Sequence, residues 1–401
     1  MSGRAPFLGA LAVLSFFAGI TGTRLAYTLA YGLAFTLLVA LSWAALVAKR
    51  VRMTRESPRG SYTVGATFSE RFTIRNRSLL PIPSCEVHDR STLVGYNPGR
   101  VCSLRGGETV HWEARGVFTH RGRHAFGPLE VRLGDPFGLF PRTIRMAVER
   151  PVIVYPQLHQ IDDLGEVGSG GSTGDAGRGR VLDAPPDVAT VREYQPDDGL
   201  GRIHWRSTAR RGRLMSRSYD TRNSPDLLVV LDLQAGIHAG VAPESSLEYA
   251  VSLAASVCHS ALRGGRAVGL VCNDGAATAF AAQRGATHRL RMLDYLAVAT
   301  ADGSRPVAET VQRHSAGVRG RGGQAGIVVV TASHDHGWIE ALLAAGVRGR
   351  RHLVILVDPV SFGAPGPPFR PAPAWRIGLD WWVVRRGDAL GAARQVRTGT
   401  A

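Results

Sequence analysis

Asp226-Leu227-Leu228-Val229-Val230-Leu231-Asp232 decides how the C-terminal half of this chain is built. A short, wholly apolar run ending in aspartate is the pattern of a strand buried on both faces of a parallel sheet. The pattern recurs downstream in Ala267–Cys272, Gly326–Thr331 and His352–Asp358. Segments of helical spacing alternate with these runs. In Glu244–Arg263, Leu247, Ala250, Val251, Ala254, Val257, Cys258 and Ala261 share one face, and Gly264-Gly265 stops the helix. Thr287–Ala299 and Trp338–Ala345 read as two further helices. Strand and helix alternation over residues 225–397 predicts a doubly wound α/β domain. Ligands in such sheets sit beyond the carboxyl ends of the strands, so the tip after Asp232 is the first place to look for a site.

Upstream the period changes. Residues 57–156 read as a small all-β sandwich of immunoglobulin-like style. Phe72-Thr73-Ile74, Val110–Ala114 and Leu129–Leu133 alternate, and Asn97-Pro98-Gly99, Gly106-Gly107, Gly127-Pro128 and Asp135-Pro136 break the runs. His111, His120 and His124 have no carboxylate or cysteine at ligand spacing and are read as solvated or core histidines.

The first fifty residues are different again. Two uncharged runs, about 5–23 and 25–48, are separated by Arg24 and are each long enough to cross a bilayer core of ~30 Å. Residues 1–50 are therefore expected to form a transmembrane hairpin. Lys49, Arg50, Arg52 and Arg55 follow the second run directly, which places the N-terminus and the body in the cytoplasm of a cell whose plasma membrane holds the hairpin. Cys85, Cys102, Cys258 and Cys272 are too few and too scattered for a disulfide framework or a zinc site, and suit a reducing compartment.

Composition narrows the chemistry. The 401 residues carry 48 basic and 32 acidic side chains, yet Lys49 is the only lysine, so no phosphate-loop or Schiff-base lysine is to be found in the body. Residues 157–190 read as a Gly-rich linker, with seven glycines among the fifteen residues from Gly165 to Gly179. The Gly170-Gly171-Ser172-Thr173-Gly174 match to a nucleophile elbow lacks the strand before it and the helix after it. His334-Asp335-His336 lacks a third ligand and is read as a loop capping the Trp338 helix.

Residues 191–224 are the most distinctive stretch. Asp198 is a plausible helix cap, and on the helix that follows Arg202, Arg206 and Arg210 align at i, i+4 and i+8, with Trp205 on an adjacent face. Six arginines and no acid lie between 202 and 217. Such a stripe is either a solvated face or a recognition surface for carboxylate or phosphate.

Tyr194-x-Pro196-x-Asp198 with Arg202-Ile203-His204-Trp205 and Ala209-Arg210, preceded by Arg121-Gly122-Arg123 and Asp135-Pro136-Phe137-Gly138-Leu139-Phe140, resembles the family called domain of unknown function 58. Asp197 departs from that pattern, where glycine is usual. The strand ending at Asp232 resembles the opening of a von Willebrand factor A domain, whose metal-binding members continue Ser-x-Ser. Gln234 and Gly236 stand at those positions here, so the metal motif at Asp232 is degenerate and no metal or other cofactor is expected. The resemblance implies a membrane-anchored protein of a kind often encoded near MoxR-type AAA+ ATPases and transglutaminase-like membrane proteins, which with the lipid bilayer are its expected partners. The favoured expectation is a non-enzymatic interaction or assembly protein. Asp198, Arg202, Trp205, Arg206 and Arg210 are its candidate partner-binding residues, with no catalytic residue and no nucleic acid expected. The alternative is a hydrolase, or a nucleic-acid- or anion-binding protein, using residues 202–217.

Overall fold

The computed structural model describes residues 4–57, 60–146, 150–161, 164, 167, 190–193, 205–218, 226–319, 325–335, 337–344, 352–369 and 379–391. They fall into two compact units, Met1–Tyr155 and Pro156–Ala401. The first unit holds α1 (Arg4–Thr21) and α2 (Arg24–Arg50), then β1 (Val51–Glu56), β2 (Tyr62–Thr63), β3 (Thr67–Asn76), β4 (Ile82–Asp89), β5 (Arg100–Leu104), β6 (Thr109–Val117), β7 (Gly122–Phe126), β8 (Leu129–Gly134), β9 (Arg142–Met146) and β10 (Arg150–Tyr155).

Helices α1 and α2 turn back on each other at Gly22, whose φ of +62° suits a residue without a Cβ. Ala26, Ala30, Leu37, Ala40, Ala44 and Val47 form the buried stripe of α2. The small residues among them let the helices approach closely. Phe16, Ile20, Leu25, Tyr31 and Phe35 point outward and are exposed. Among the described residues α2 is the one helix long and apolar enough to cross a membrane, and α1 carries a shorter apolar stretch, Ala5–Thr21.

No linker separates α2 from β1. Strands β1, β3 and β6 form one antiparallel sheet, and β5, β4, β8 and β9 form another in that order. Strict alternation of buried and exposed residues along β1 turns one face of its sheet inward. Phe72 and Ile74 from one sheet meet Ile82, Val87, Val131 and Leu133 from the other, and Val47 of α2 completes this core. The third sheet, β2-β10-β7, carries Phe126, Val152 and Val154 into a cluster with Phe68 and Phe118. Cys85 and Cys102, isolated in sequence, are register partners across β4 and β5, and both are free thiols. His111 bonds Thr73 and His124 bonds the carbonyl of His120, so both make local contacts.

Arg55 corrects one element of the sequence reading. It follows the apolar helix in a basic run, but it sits at an inward position of β1 and its side chain is 3% exposed. Its Nε and Nη2 donate to Glu70 at 2.8 and 2.7 Å, and Nη1 donates to Asp89 at 3.0 Å. Tyr96 and Ser57 also donate to Glu70. Burial alone would lower the Arg55 pKa, but the bonds and charges of Glu70 and Asp89 outweigh it and hold the value above normal.

The second unit holds β11 (Thr190–Glu193), α3 (Trp205–Arg211), β12 (Met215–Ser218), β13 (Leu227–Leu231), β14 (Gly240–Val241), β15 (Glu244–Ser245), α4 (Ser246–Arg263), β16 (Val268–Cys272), β17 (Ala279–Gln283), α5 (Ala286–Val298), α6 (Val307–Arg319), β18 (Gly326–Thr331), α7 (Gly337–Ala344), β19 (His352–Val357) and β20 (Leu379–Val384). Its main sheet runs β17-β16-β13-β18-β19-β20. All neighbours are parallel except β17, which pairs antiparallel to β16. By chain order this is the doubly wound arrangement 3-2-1-4-5-6, which reverses direction between β13 and β18. Val230, Ile327, Val329, Val354 and Trp381 face α6 and α7 through Val307, Val311, Trp338 and Leu342. Val229, Leu231, Val328 and Val330 are equally buried, so the sheet is covered on both faces. Ser245 caps α4 by accepting from the Glu248 N–H, a Ser-x-x-Glu start.

Leu164 and Val167, from the stretch read as linker, are buried in this unit. Arg266 donates to their carbonyls at 2.6 and 2.8 Å, and burial lowers its pKa to about 10.

The buried Arg55 network makes a direct prediction. Arg55→Met leaves two buried carboxylates without their cation and should reduce the unfolding free energy by about 3–5 kcal/mol. Urea unfolding of the detergent-solubilised chain, followed by near-ultraviolet circular dichroism, measures it; a loss below about 1 kcal/mol would show that the pair is solvated.

Candidate functional site

The carboxyl edge of the parallel sheet is where β13, β16 and β18 end together. Asp232, the residue after β13, is fully buried. Its Oδ2 accepts from the Thr331 hydroxyl at 2.6 Å, and its Oδ1 accepts from Asn273 Nδ2 at 2.7 Å and from the Gln234 N–H at 3.2 Å. Thr331 closes β18 and Asn273 follows β16, so one carboxylate ties the ends of three adjacent strands. Asn273 also donates to the Arg305 carbonyl at 2.9 Å and accepts from the Leu233 N–H. The loop after Asp232 is braced from the other side by Gly303, which exchanges backbone bonds with Leu233 and Ala235. A Cβ at Gly303 would lie 1.8 Å from the Asn273 carbonyl oxygen, so only glycine fits there.

These residues do not fit the divalent metal of a von Willebrand-type site. Gln234 meets Asp232 through a backbone N–H donor, and Gly236 has no side chain to ligate. The Thr331 hydroxyl is engaged on both sides, donating to Asp232 and accepting from the Ser333 N–H at 2.9 Å. Among the described residues no group of three His, Cys, Asp or Glu side chains stands together.

A second cluster lies at the ends of the next strands. Asp358, directly after β19, is buried and accepts from the Val360 and Phe369 N–H groups at 3.2 and 3.3 Å. His334, beyond β18, brings Nε2 to 3.4 Å from Asp358 Oδ1, and Arg385, beyond β20, brings Nε to 3.7 Å from Oδ2. Asp358, Ser361, Pro368, Phe369 and Arg385 line a cleft of about 470 Å³. The Ser361 hydroxyl donates to the Asp358 carbonyl at 2.7 Å, which commits its proton to the backbone. Asp335 accepts from the Gly337 N–H at the start of α7, a capping geometry.

The arginine stripe is placed only in part. Asp198 and Arg202 lie outside the described residues, and so does His336. Trp205 and Arg206 open α3, and Arg210 and Arg211 in its last turn are exposed. Sequence reasoning passed over Asn273, Thr331 and Arg385. Each is the first residue at or beyond a strand end, a positional signal that becomes useful only once the strand order is known.

Burial raises the Asp232 pKa against the bonds from Thr331, Asn273 and Gln234 and the pull of His238. A carboxyl whose folded pKa exceeds its unfolded value contributes stability that is present at low pH and lost as pH rises through the folded value. Relative to Asp232→Asn, the parent chain should therefore gain unfolding free energy as pH falls from neutral. Paired thermal melts across pH check this, and a parent that loses ground on acidification would contradict it.

Comparison with known proteins adds a family and one curated relative. The chain is 30% identical over 246 residues to an uncharacterized protein of Bacillus subtilis, YeaD, in an alignment spanning 59% of this chain and 56% of that one. Solved structures with local likeness include a FixG-related protein from Vibrio parahaemolyticus, at 12% identity, TM-score 0.19, over 26% of this chain and 96% of that one. Another is the putative ApaA protein from Bordetella pertussis, at 15% identity, TM-score 0.18, over 26% of this chain and 91% of that one. At these scores the likeness identifies neither fold nor function. Residues 190–365, which include Asp232 with its partners Asn273 and Thr331, and Asp358 with His334, match the family described as protein of unknown function DUF58.

Proposed function

We propose that the chain is a membrane-anchored interaction protein whose second unit docks a protein partner. The single observation that carries the anchor is the unbroken passage of α2 into β1, with Val47 shared by helix and sheet core. An apolar helix so joined is an integral part of the body rather than a detachable leader. Both α1 and α2 cross the plasma membrane in this reading. The exposed Lys49, Arg50 and Arg52 hold the body on the cytoplasmic side.

The strand order of the second unit, with its antiparallel third strand, supports a von Willebrand factor A-like domain. The Asp232 carboxylate is used internally, which favours docking over metal-dependent chemistry at this edge. The resemblance of the signature suggests a MoxR-type AAA+ ATPase as partner. The exposed arginines at the end of α3 offer a surface for acidic side chains.

Capture of a purified MoxR-type ATPase by the detergent-solubilised full-length chain tests this. Arg210→Glu with Arg211→Glu should weaken capture more than about tenfold, as expected of interface arginines. Exposed substitutions should each cost no more than about 0.5 kcal/mol, leaving the melting temperature nearly unchanged. Undiminished capture by the double variant, or none by the parent, would overturn the proposal.

A further inference from the structure

Two loops of the first unit are each organised by one buried polar side chain and tipped by one exposed apolar residue. In the turn between β3 and β4, Asn76 is fully buried. Its Nδ2 donates to the Leu80 and Arg105 carbonyls at 2.8 and 3.0 Å, and its Oδ1 accepts from the Ser78 N–H and hydroxyl at 3.0 and 2.7 Å. A Cβ at Gly106 would stand 2.3 Å from the Leu79 carbonyl oxygen, so the neighbouring turn lies flush against this one. Leu79 itself is 97% exposed. Between β8 and β9, the buried Asp135 accepts from the Phe137 and Phe140 N–H groups at 2.9 and 2.6 Å. Gly138 takes a φ of +68°, and Phe137 is 53% exposed. Each loop thus holds one apolar side chain outward in a set conformation, and lipid would remove that area from water at about 25 cal/mol per Å².

Both loops rest on α2. The Trp43 indole donates to the Pro81 carbonyl at 2.9 Å, and Leu139 packs with Leu37 and Ala40. The contacts that seat the two loops on α2 therefore begin at Leu37, and the one at Trp43 lies roughly 9 Å further along the helix at 1.5 Å per residue. Only Arg24 to Leu37 of α2 lies clear of the loops, a rise of roughly 20 Å. That falls short of a hydrocarbon core of ~30 Å. Lys49, Arg50, Arg52, Arg77 and Arg142 are exposed, and the Arg77 N–H donates to the Arg50 carbonyl at 3.0 Å. Apolar tips beside exposed arginines match the head-group layer, where anionic lipid meets the acyl boundary.

We propose that Leu79 and Phe137 are inserted into the head-group layer of the bilayer that receives α1 and α2, seating the β-sheet body on the membrane in a fixed orientation. This rests on the membrane reading of the hairpin. It adds a contact surface outside the helices and sets how deep they lie, because seating the loops draws the Leu37–Trp43 segment of α2 into the bilayer.

Fluorophore depth measurement tests it with the full chain in proteoliposomes of phosphatidylcholine and phosphatidylglycerol. In a Cys102→Ser background, Leu79→Cys, Phe137→Cys, Phe16→Cys and Val117→Cys are labelled singly with nitrobenzoxadiazole. Val117 pairs with Thr67, nine positions and about 30 Å along β3 from Asn76. Labels at 79 and 137 should shift to the blue and lose emission to nitroxide placed high on the lipid chain, while the label at 117 should not respond. Labels at 79 and 137 that behave like the one at 117, while the label at 16 is quenched, would overturn the seated loops and leave the anchor standing. A label at 16 that is not quenched would overturn the anchor, and the seated loops with it.

Discussion

The Asp232 carboxylate is the constraint on which the second unit depends. It accepts from Thr331 on one neighbouring strand and from Asn273 beyond the other, and so fixes the point where the strand order reverses. A buried carboxylate is costly unless it is bonded, and each of these donors is held in place by a further bond. Thr331 accepts from Ser333, Asn273 donates to Arg305, and Gly303 closes the remaining gap. The loops that follow β13, β16 and β18 are consequently tied to one another through this carboxylate. Geometry of this kind suits a docking surface, which gains affinity from preorganisation.

The first unit follows the same logic with different chemistry. Arg55 bridges Glu70 and Asp89 across its sheets, and Asn76 and Asp135 each close a loop from within. With α2 continuous into β1, the C-terminal end of α2 and the sheets share one core. Motion of the helices relative to the sheets would open that core, so whatever holds the hairpin also orients the body.

Much of the α/β unit was legible because its central strands are unbroken apolar runs. Leu227–Leu231, Gly326–Thr331 and His352–Val357 emerged at or within a residue of where the pattern put them, and α4 began two residues late at its Ser245 cap. Strand β20, with Asp380 amid Trp381 and Trp382, and helix α6, with few fixed apolar positions, gave no comparable signal. The site was legible only at Asp232. Thr331 reads in sequence only as the end of an apolar run, whereas the structure uses its hydroxyl as the donor that a buried carboxylate requires. His334, Asp358 and Arg385 are scattered in sequence, and only the order of β18, β19 and β20 brings their strand ends together. Arg55 could not be told from its solvated neighbours, since burial there depends on Glu70 and Asp89 on other strands.

The central claim is that Asp232 serves as an internal tie and not as a metal ligand. Its most direct test is titration of Mn²⁺ into the full-length chain, with free Mn²⁺ read by electron paramagnetic resonance in parallel with an Asp232→Ala variant. The two proteins should take up the same amount of metal, because the oxygens of Asp232 are already bonded to Thr331, Asn273 and Gln234. Stoichiometric uptake by the parent that disappears in Asp232→Ala would contradict it.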